Sequence, residues 1–168
     1  MTEQRPVVVL IGPPAAGKTR LGKRIAKLLD VPFIDTDKRI VANHGAIATI
    51  FAQHGEAHFR ELERDTVAAA LSERAVVALG GGAVLDTSTQ ELLAAHRVLL
   101  LTVTPEAVEA RLAGDKRPLI AGLESWQTLV APRLPIYEAL ATHTVDTSTR
   151  PLDTIAAETV RWIQETSE

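Results

Sequence analysis

Eight residues near the N-terminus have the types and the spacing needed to hold phosphate groups. They fit the pattern G-x-x-x-x-G-K-[ST] and lie between an apolar run, 7–11, and a helical pattern that starts at Lys18. Glycines let the backbone curl so that successive N–H groups point at phosphate oxygens, and the positive end of the helix adds to their field. The eight residues are Gly12, Pro13, Pro14, Ala15, Ala16, Gly17, Lys18 and Thr19. The alternative is an ordinary glycine-rich turn with a solvated lysine, and the flanking strand and helix favour a nucleotide site.

Two carboxylates after the next short strand are candidates for the chemistry of phosphoryl transfer. Asp35 and Asp37 follow the run 32–34, and ligands of an open parallel sheet collect beyond the carboxyl ends of its strands. One carboxylate could hold Mg²⁺ through water together with the Thr19 hydroxyl, while Lys18 reaches the β- and γ-phosphates. The other could accept a hydrogen bond from the acceptor hydroxyl. Capping of the following helix by Asp37 explains the spacing equally well.

Further along the chain, arginines and a run of glycine have both a functional and a structural interpretation. Arg60 and Glu63 share a helix face, where such a pair is most often a surface ion pair. Gly80-Gly81-Gly82 follows a strand and forms either a plain turn or a backbone surface that a ligand can approach closely, the interpretation favoured here. Arg117 and Arg133 are each, taken alone, more typical of solvated side chains.

Short β-branched runs alternate with longer amphipathic stretches, which predicts an α/β fold with a mainly parallel sheet and right-handed crossovers. The segment 114–125 interrupts this pattern with Gly, Asp, Lys, Arg and Pro between two helices, as a cover over a site or as a long connection. Strands are predicted at 7–11, 32–34, 75–79, 97–103 and 144–145. Helices are predicted at 18–29, 56–71, 89–95, 105–113, 126–140 and 152–164.

The composition limits the classes of function. The 168 residues are 46% hydrophobic and 23% charged, which suits one globular domain, and a formal net charge of −3 argues against nucleic-acid and membrane-surface binding. There is no cysteine, so disulfides and thiol chemistry are excluded. The sequence contains no signal-peptide pattern and no apolar stretch long enough to span a bilayer, so a cytoplasmic location is expected.

Taken together, these motifs closely resemble the shikimate kinase family over nearly the whole chain. The resemblance rests on the order and spacing of the phosphate-loop pattern, Asp35-Thr36-Asp37, Ile50-Phe51, Gly55-Glu56, Phe59-Arg60 with Glu63, Gly80-Gly81-Gly82, Arg117-Pro118-Leu119, and Arg133 with Pro135 and Tyr137. It implies a single domain, 1–168, with the three-layer α/β/α P-loop kinase fold and a central five-stranded parallel sheet. It further implies a helical substrate-binding segment of about residues 36–62 and a lid of about residues 112–125. Members transfer the γ-phosphate of ATP to the 3-hydroxyl of shikimate in aromatic amino acid biosynthesis.

The resemblance also implies roles for individual residues. Asp37 would bind the shikimate hydroxyls and be the candidate base, and Asp35 would support Mg²⁺ mainly through water. Gly80, Gly81 and Gly82 would hold shikimate together with Arg60 and Arg133, which would grip its carboxylate, while Glu63 would orient Arg60. On the nucleotide side lie Arg117, expected to reach the ATP phosphates from the lid, Arg111, and Arg150, expected near adenine. ATP, ADP and shikimate are the expected ligands, and a monomer is the expected state.

The chain departs from the family pattern at two positions, and rival functions remain. Ala15 stands where the family usually has glycine, which predicts a slightly stiffer loop if this residue keeps a negative φ. Ala46 replaces an arginine that the family commonly carries. A gluconate kinase or nucleoside monophosphate kinase of the same fold is the nearest rival function. A nucleotide-binding regulatory module without catalysis is the rival from another class.

Overall fold

The computed structural model describes residues 4–113 and 122–167, and these form a parallel sheet with helices on both faces. Each strand leads into one or more helices, as the alternation of apolar runs and amphipathic stretches predicts. The strands are β1 (Val8–Ile11), β2 (Phe33–Asp35), β3 (Val76–Ala78), β4 (Val98–Thr102) and β5 (His143–Asp146). The helices are α1 (Lys18–Leu29), α2 (Thr36–His44), α3 (Ile47–His54), α4 (Glu56–Ala70), α5 (Thr87–Leu93), α6 (Pro105–Ala113), α7 (Leu123–Val130), α8 (Leu134–Leu140) and α9 (Leu152–Glu165).

The five strands lie in the order β2-β3-β1-β4-β5, and every neighbouring pair is parallel. β1 is the central strand: Val9 pairs with Val77 of β3 on one side and with Val98 of β4 on the other. All four residues of β1 are buried, as expected of a parallel strand covered on both faces. The carboxyl ends of β1, β2 and β3 therefore meet at one edge, where the phosphate-loop residues, the Asp-Thr-Asp turn and the triple glycine follow them.

Alternate residues of β1 point into two different apolar cores, which makes three layers. Val8 and Leu10 pack in one core with residues of α1 and α9, including Leu21 and Ile155. Val9 belongs to the other core, on the opposite face, which contains residues of α4, α5 and α8. Because strand side chains alternate between the faces of a sheet, one short apolar run supplies both cores. The predicted α/β/α fold class is confirmed.

Two regions differ from the sequence prediction. The predicted helix 126–140 is wrong as a single element, since α7 ends at Val130 and α8 starts at Leu134. Pro132 and Pro135 have no N–H to donate to the preceding turn, so the helical ladder stops and restarts with Pro135 in the first turn of α8. The prediction also did not delimit α2 and α3, which pack against α4 around a small separate core of Ile40, Ile50 and Phe59.

Within the two described ranges, none of the helices has the length and apolar composition needed to cross a lipid bilayer. The predicted domain limits, 1–168, and the predicted substrate-binding segment stay predictions. Most of the predicted lid, residues 114–121, lies outside the described residues.

Candidate active site

The phosphate loop runs from the end of β1 to the start of α1, and two of its glycines are required by the backbone. Gly12 has φ 146°, and a Cβ atom built there would lie 2.5 Å from the Leu101 carbonyl oxygen of the neighbouring strand. Gly17, with φ 89°, is the N-cap residue of α1. Both φ values lie outside the regions that L side chains normally adopt. The loop therefore leaves the sheet and enters the helix through left-handed glycines.

Ala15 also adopts the left-handed conformation, with φ 70°, so the expected negative φ is wrong. A non-glycine residue there carries a strain of roughly 1–2 kcal/mol, because its Cβ crowds the following carbonyl. The Ala15 methyl group is buried in a small apolar cluster with Val108, Trp126 and Val130. Burial of the methyl group, which contributes roughly 0.8 kcal/mol, offsets part of the strain.

The side chains that open α1 contact both the loop and the neighbouring strand end. Lys18 Nζ donates hydrogen bonds to the Gly12 carbonyl oxygen at 2.7 Å and the Pro13 carbonyl oxygen at 3.0 Å. Thr19 Oγ1 donates to Asp35 Oδ2 at 2.8 Å. A hydroxyl and a carboxylate thus lie together beside the loop, and such hard oxygen donors are the ligands that Mg²⁺ prefers.

Asp35 caps the following helix and contacts Thr19, whereas Asp37 faces the triple glycine. Asp35 is the N-cap residue of α2: its Oδ1 accepts a hydrogen bond from the backbone N–H of Lys38 at 3.2 Å. The interpretation of Asp37 as the helix cap is therefore wrong. Asp37 instead lies in the first turn of α2, and its carboxylate packs directly on Gly80, where an added Cβ would be 2.4 Å from Oδ1.

The environment of Asp37 disfavours its charged form. Burial raises the pKa of this carboxyl group above its usual value, and the nearby Asp35 charge raises it further. Lys18 and Arg60 act in the opposite direction without cancelling the effect on the pKa. A carboxylate that binds a proton more readily than usual beside a phosphate-binding loop is suited to accept a proton from a hydroxyl group.

Arg60 and Glu63 form a partly buried pair rather than the surface pair that their spacing also allowed. Arg60 Nη1 donates to Glu63 Oε1 at 2.6 Å, and the Glu63 side chain is only 5% exposed. The guanidinium lies over the Phe59 ring, 5.3 Å from its centroid. It also lies against Gly82, where an added Cβ would be 2.7 Å from Nη2. Burial raises the pKa of Glu63, which the hydrogen bond from Arg60 partly opposes.

The three consecutive glycines each lie beside a different predicted site residue. Gly80 contacts Asp37 and Gly82 contacts Arg60, as described above, and Gly81 faces Arg133 Nη1 at 3.4 Å from an added Cβ. None of the three has a positive φ, so lack of space rather than backbone conformation explains glycine at Gly80 and Gly82, whereas Gly81 has room for a methyl group.

Two residues that support this arrangement had no predicted role. Thr36 is fully buried between the two aspartates, and its Oγ1 donates to the Ala78 carbonyl oxygen at 3.4 Å and accepts from the Gly80 N–H at 3.3 Å. Tyr137 is also fully buried, and its hydroxyl donates to the Gly81 carbonyl oxygen at 2.7 Å. The sequence signal was available, since Thr36 lies inside the Asp-Thr-Asp motif and Tyr137 inside the Arg133 motif.

Two cavities lie beside the phosphate loop and share Ala15, Gly17 and Arg20. The first, of about 310 Å³, is lined by residues that include Lys18, Asp37 and Gly80. The second, of about 590 Å³, is lined by residues that include Arg111, Thr147, Ser148 and Arg150. A nucleotide with its phosphates on the loop would therefore have room for its nucleobase in the second cavity and for a small acceptor in the first.

The remaining predicted arginines differ in how they are placed. Arg111 Nη1 donates to the Ala15 carbonyl oxygen at 2.6 Å, which fixes its guanidinium beside the loop. Arg150 lines the same cavity but pairs with Glu158 at the protein surface. Arg117 lies outside the described residues, so its contact with ATP stays a prediction from the resemblance.

Comparisons with known proteins agree with this geometry. The sequence model of the shikimate kinase family matches residues 14–164. Shikimate kinase of Corynebacterium efficiens is 40% identical over 166 residues, 96% of this chain and 98% of that protein. Shikimate kinase of Salinispora arenicola is 47% identical over 158 residues, 91% of this chain and 95% of that protein.

The structural comparison leads to the same assignment. The solved structure of shikimate kinase from Acinetobacter baumannii in complex with shikimate superposes with a TM-score of 0.87 at 31% identity. The match covers 97% of this chain and 94% of that one. The chain belongs to the shikimate kinase family.

Proposed function

We propose that this chain transfers the γ-phosphate of ATP to the 3-hydroxyl of shikimate, giving shikimate 3-phosphate and ADP in the biosynthesis of aromatic amino acids. Its family is one of ATP-dependent kinases. The observation that carries the substrate assignment is the convergence of Asp37, Arg60, Arg133 and the triple glycine beside the phosphate loop. A carboxylate, two guanidinium groups and an accessible backbone suit a small polyhydroxylated carboxylate.

On the nucleotide side, the loop 12–19 binds the phosphates, and Lys18 exchanges its contacts with loop carbonyls for the β- and γ-phosphates. Thr19 and Asp35 would supply oxygen ligands for Mg²⁺, Asp35 mainly through water, because their side chains already meet at 2.8 Å. Mg²⁺ held there would supply positive charge that offsets the negative charge of the phosphates. Arg111 and Arg150 line the cavity assigned to adenine and ribose.

On the acceptor side, Arg60 and Arg133 bind the shikimate carboxylate, and Glu63 keeps the Arg60 fork in one orientation through its 2.6 Å hydrogen bond. Asp37 accepts a hydrogen bond from the shikimate hydroxyls. In the transfer, the 3-hydroxyl oxygen forms a bond to the γ-phosphorus while the bond from that phosphorus to the β–γ bridging oxygen breaks. ADP departs with the bridging oxygen, and the hydroxyl proton passes to Asp37.

The experiment that tests this function is a coupled ADP-release assay with Mg-ATP and one acceptor at a time: shikimate, gluconate, AMP or none. A rate that depends on shikimate and far exceeds the other three supports the proposal. Robust turnover of gluconate or AMP without turnover of shikimate would overturn the acceptor assignment. Binding of ATP without turnover of any acceptor would favour the regulatory module instead.

A matched pair of variants tests the acceptor site. Arg60→Ala should raise the KM for shikimate and leave the KM for ATP nearly unchanged. Arg64→Ala is the control, since Arg64 lies on the same helix and pairs at 2.9 Å with Asp86, which does not line the cleft. If Arg60→Ala weakened ATP and spared shikimate, the assignment of the two half-sites would be wrong.

A further inference from the structure

The backbone carbonyls of the phosphate loop are hydrogen-bonded by side chains, one after another. Lys18 Nζ donates to the carbonyl oxygens of Gly12 and Pro13. The next three carbonyls receive donors from outside the loop. These are Trp126 Nε1 to Pro14 O at 2.7 Å, Arg111 Nη1 to Ala15 O at 2.6 Å, and Thr147 Oγ1 to Ala16 O at 2.6 Å. Five consecutive carbonyls are thus held by four side chains.

The three outside donors come from separate parts of the fold. Arg111 is on α6, Trp126 is on α7, and Thr147 follows β5. Trp126 is 5% exposed and Thr147 is 2% exposed, so both donors are almost completely shielded from water. A buried N–H or O–H that loses its acceptor is costly, because no solvent replaces the bond. The contacts of these two donors with the loop are therefore built into the core.

Holding the carbonyls determines where the loop N–H groups point. The trans peptide unit is planar, so the C=O of one residue and the N–H of the next point in opposite directions within that plane. Fixing the carbonyls of Pro14 and Ala16 therefore also fixes the directions of the N–H groups of Ala15 and Gly17. Phosphate oxygens are recognised by such N–H groups at the turn before a helix.

Ala15 shows why external support is needed at this point. Its left-handed φ of 70° is unfavourable for alanine, and an unsupported loop would relax away from it. The carbonyl of the preceding residue is held by Trp126, whose ring also packs on the Ala15 methyl group. One side chain thus supplies both a hydrogen bond and an apolar contact that favour the strained conformation.

We infer that Trp126 and Thr147 are positioning residues that hold the phosphate loop in its nucleotide-binding shape before the nucleotide arrives. The inference rests on the proposed function in that the ligand is a nucleoside di- or triphosphate bound with Mg²⁺. Trp126 is not among the described residues that line the two cavities, whereas Thr147 lines the cavity assigned to adenine and ribose, so Trp126→Phe is the cleaner test of positioning. Without their bonds, only a fraction of the molecules has the competent loop, and the apparent dissociation constant rises in proportion.

The test compares hydroxyl and indole deletions with matched controls. Trp126→Phe and Thr147→Val remove the donors and keep most of the packing volume. Trp162→Phe and Thr159→Val are the controls on α9. Thr159 is also buried and donates to a helix carbonyl, that of Ile155, at 2.8 Å, away from the loop.

Isothermal titration with Mg-ADP measures the dissociation constant of each variant. We expect an increase of about fivefold for each deletion, which corresponds to about 1 kcal/mol, the usual net contribution of one hydrogen bond. The two controls should bind as the unchanged protein does. Thr147→Ser should restore the affinity that Thr147→Val loses, and the KM for shikimate should not follow these changes.

Tryptophan emission gives a readout that does not depend on a lost contact. The chain has two tryptophans, so Trp162→Phe leaves Trp126 as the sole emitter and Trp126→Phe leaves Trp162. The Trp162→Phe protein should emit as a shielded indole without nucleotide, and Mg-ADP should shift this emission little, because the indole is already bonded to the loop. The same titration should leave the emission of the Trp126→Phe protein almost unchanged.

The outcomes separate this inference from the proposed function. If the unchanged protein does not bind Mg-ADP, the nucleotide assignment itself fails. If it binds, and Trp126→Phe and Thr147→Val bind equally well, the positioning role is refuted, even if both variants melt at lower temperature. A large shift of the Trp126 emission at saturating Mg-ADP also refutes it, because the contact between the indole and the loop would then form or break on binding, and this measurement is made on a protein in which Trp126 is intact.

Discussion

Adding one methyl group at Gly80 should disable the reaction by displacing Asp37. A Cβ at this position would lie 2.4 Å from Asp37 Oδ1, whereas ordinary contacts begin at 3.4 Å. The carboxylate must therefore move by about 1 Å. A displacement of that size costs roughly 100-fold in rate when the displaced group positions or deprotonates a reactant. We expect Gly80→Ala to lower kcat for shikimate phosphorylation about 100-fold.

The neighbouring glycines provide the controls for this prediction. Gly81→Ala places its methyl group 3.4 Å from the nearest atoms, on Arg133 and Pro14, and should leave kcat nearly unchanged. Gly82→Ala presses on the Arg60 guanidinium, so it should raise the KM for shikimate rather than lower kcat. None of the three positions has a positive φ, so alanine introduces no backbone strain at any of them.

The assay is coupled ADP release at saturating Mg-ATP with shikimate varied, with thermal melts to confirm that each variant is folded. Two results would refute the argument. One is a Gly80→Ala protein with the kcat of the unchanged protein. The other is a loss of kcat in Gly81→Ala as large as in Gly80→Ala, since the effect would then come from the loop backbone and not from Asp37.

Three further predictions concern the residues that support the cleft. Tyr137→Phe leaves the Gly81 carbonyl without its donor, so the free energy of unfolding measured in urea should fall by about 1 kcal/mol and the KM for shikimate should rise. Ala15→Gly should change the free energy of unfolding by less than about 1 kcal/mol. It relieves roughly 1–2 kcal/mol of backbone strain, but it also removes the buried methyl group and raises the entropy of the unfolded chain, which offset the gain. The raised pKa of Asp37 means that the folded state binds a proton at this carboxylate more tightly than the unfolded state does. The free energy of unfolding therefore falls as the pH rises from 3.8 through the folded-state pKa. Asp37→Asn should therefore abolish turnover yet increase stability in urea at neutral pH, and this gain should shrink as the pH is lowered toward 3.8.

The sheet was predictable because its strands carry a simple signal. A parallel strand buried on both faces is apolar throughout, and each of the predicted runs overlaps one of the five strands, with β2 and β5 extending beyond their predicted runs. Helix α1 has its predicted limits, since Gly17 marks its start and Leu29 its end before a left-handed Asp30. The break between α7 and α8 was visible in Pro132 and Pro135, but the apolar periodicity that continues across them hid it.

The candidate site was predictable in its residue types and not in its burial. Residues at positions i and i+3 of a helix share a face whether that face is solvated or buried. The sequence therefore could not show that the Glu63 carboxylate of the pair with Arg60 is buried. The left-handed Ala15 depends on packing with α6 and α7, which are about 100 residues away along the chain. The role of Trp126 has the same origin, because its spacing indicates only a core residue.

The electrostatics of the cleft explain how a protein of net charge −3 can be built to bind two anions. Among the described residues, the cleft brings together Lys18, Arg60 and Arg133 with the carboxylates of Asp35, Asp37 and Glu63. Arg20 also lines both cavities and Arg111 lines the second, so the carboxylates do not cancel the positive charge around the loop, and the two anions meet a local excess of cations. Orientation adds to this attraction at Arg60, because Glu63 occupies one N–H of the guanidinium and leaves the remaining N–H groups for the substrate.

Burial in the cleft destabilises the charged forms of two carboxylates. Burial beside one another raises the pKa values of Asp37 and Glu63, and the arginines only partly offset the effect. In the proposed reaction Asp37 accepts the hydroxyl proton, and the same burial that destabilises its charged form then makes it a better base. The loop has a parallel feature, since the strain of Ala15 is held by bonds from α6 and α7. At the carboxylates and at Ala15, local burial or strain lowers the stability of the protein, and contacts with the surrounding core compensate for it.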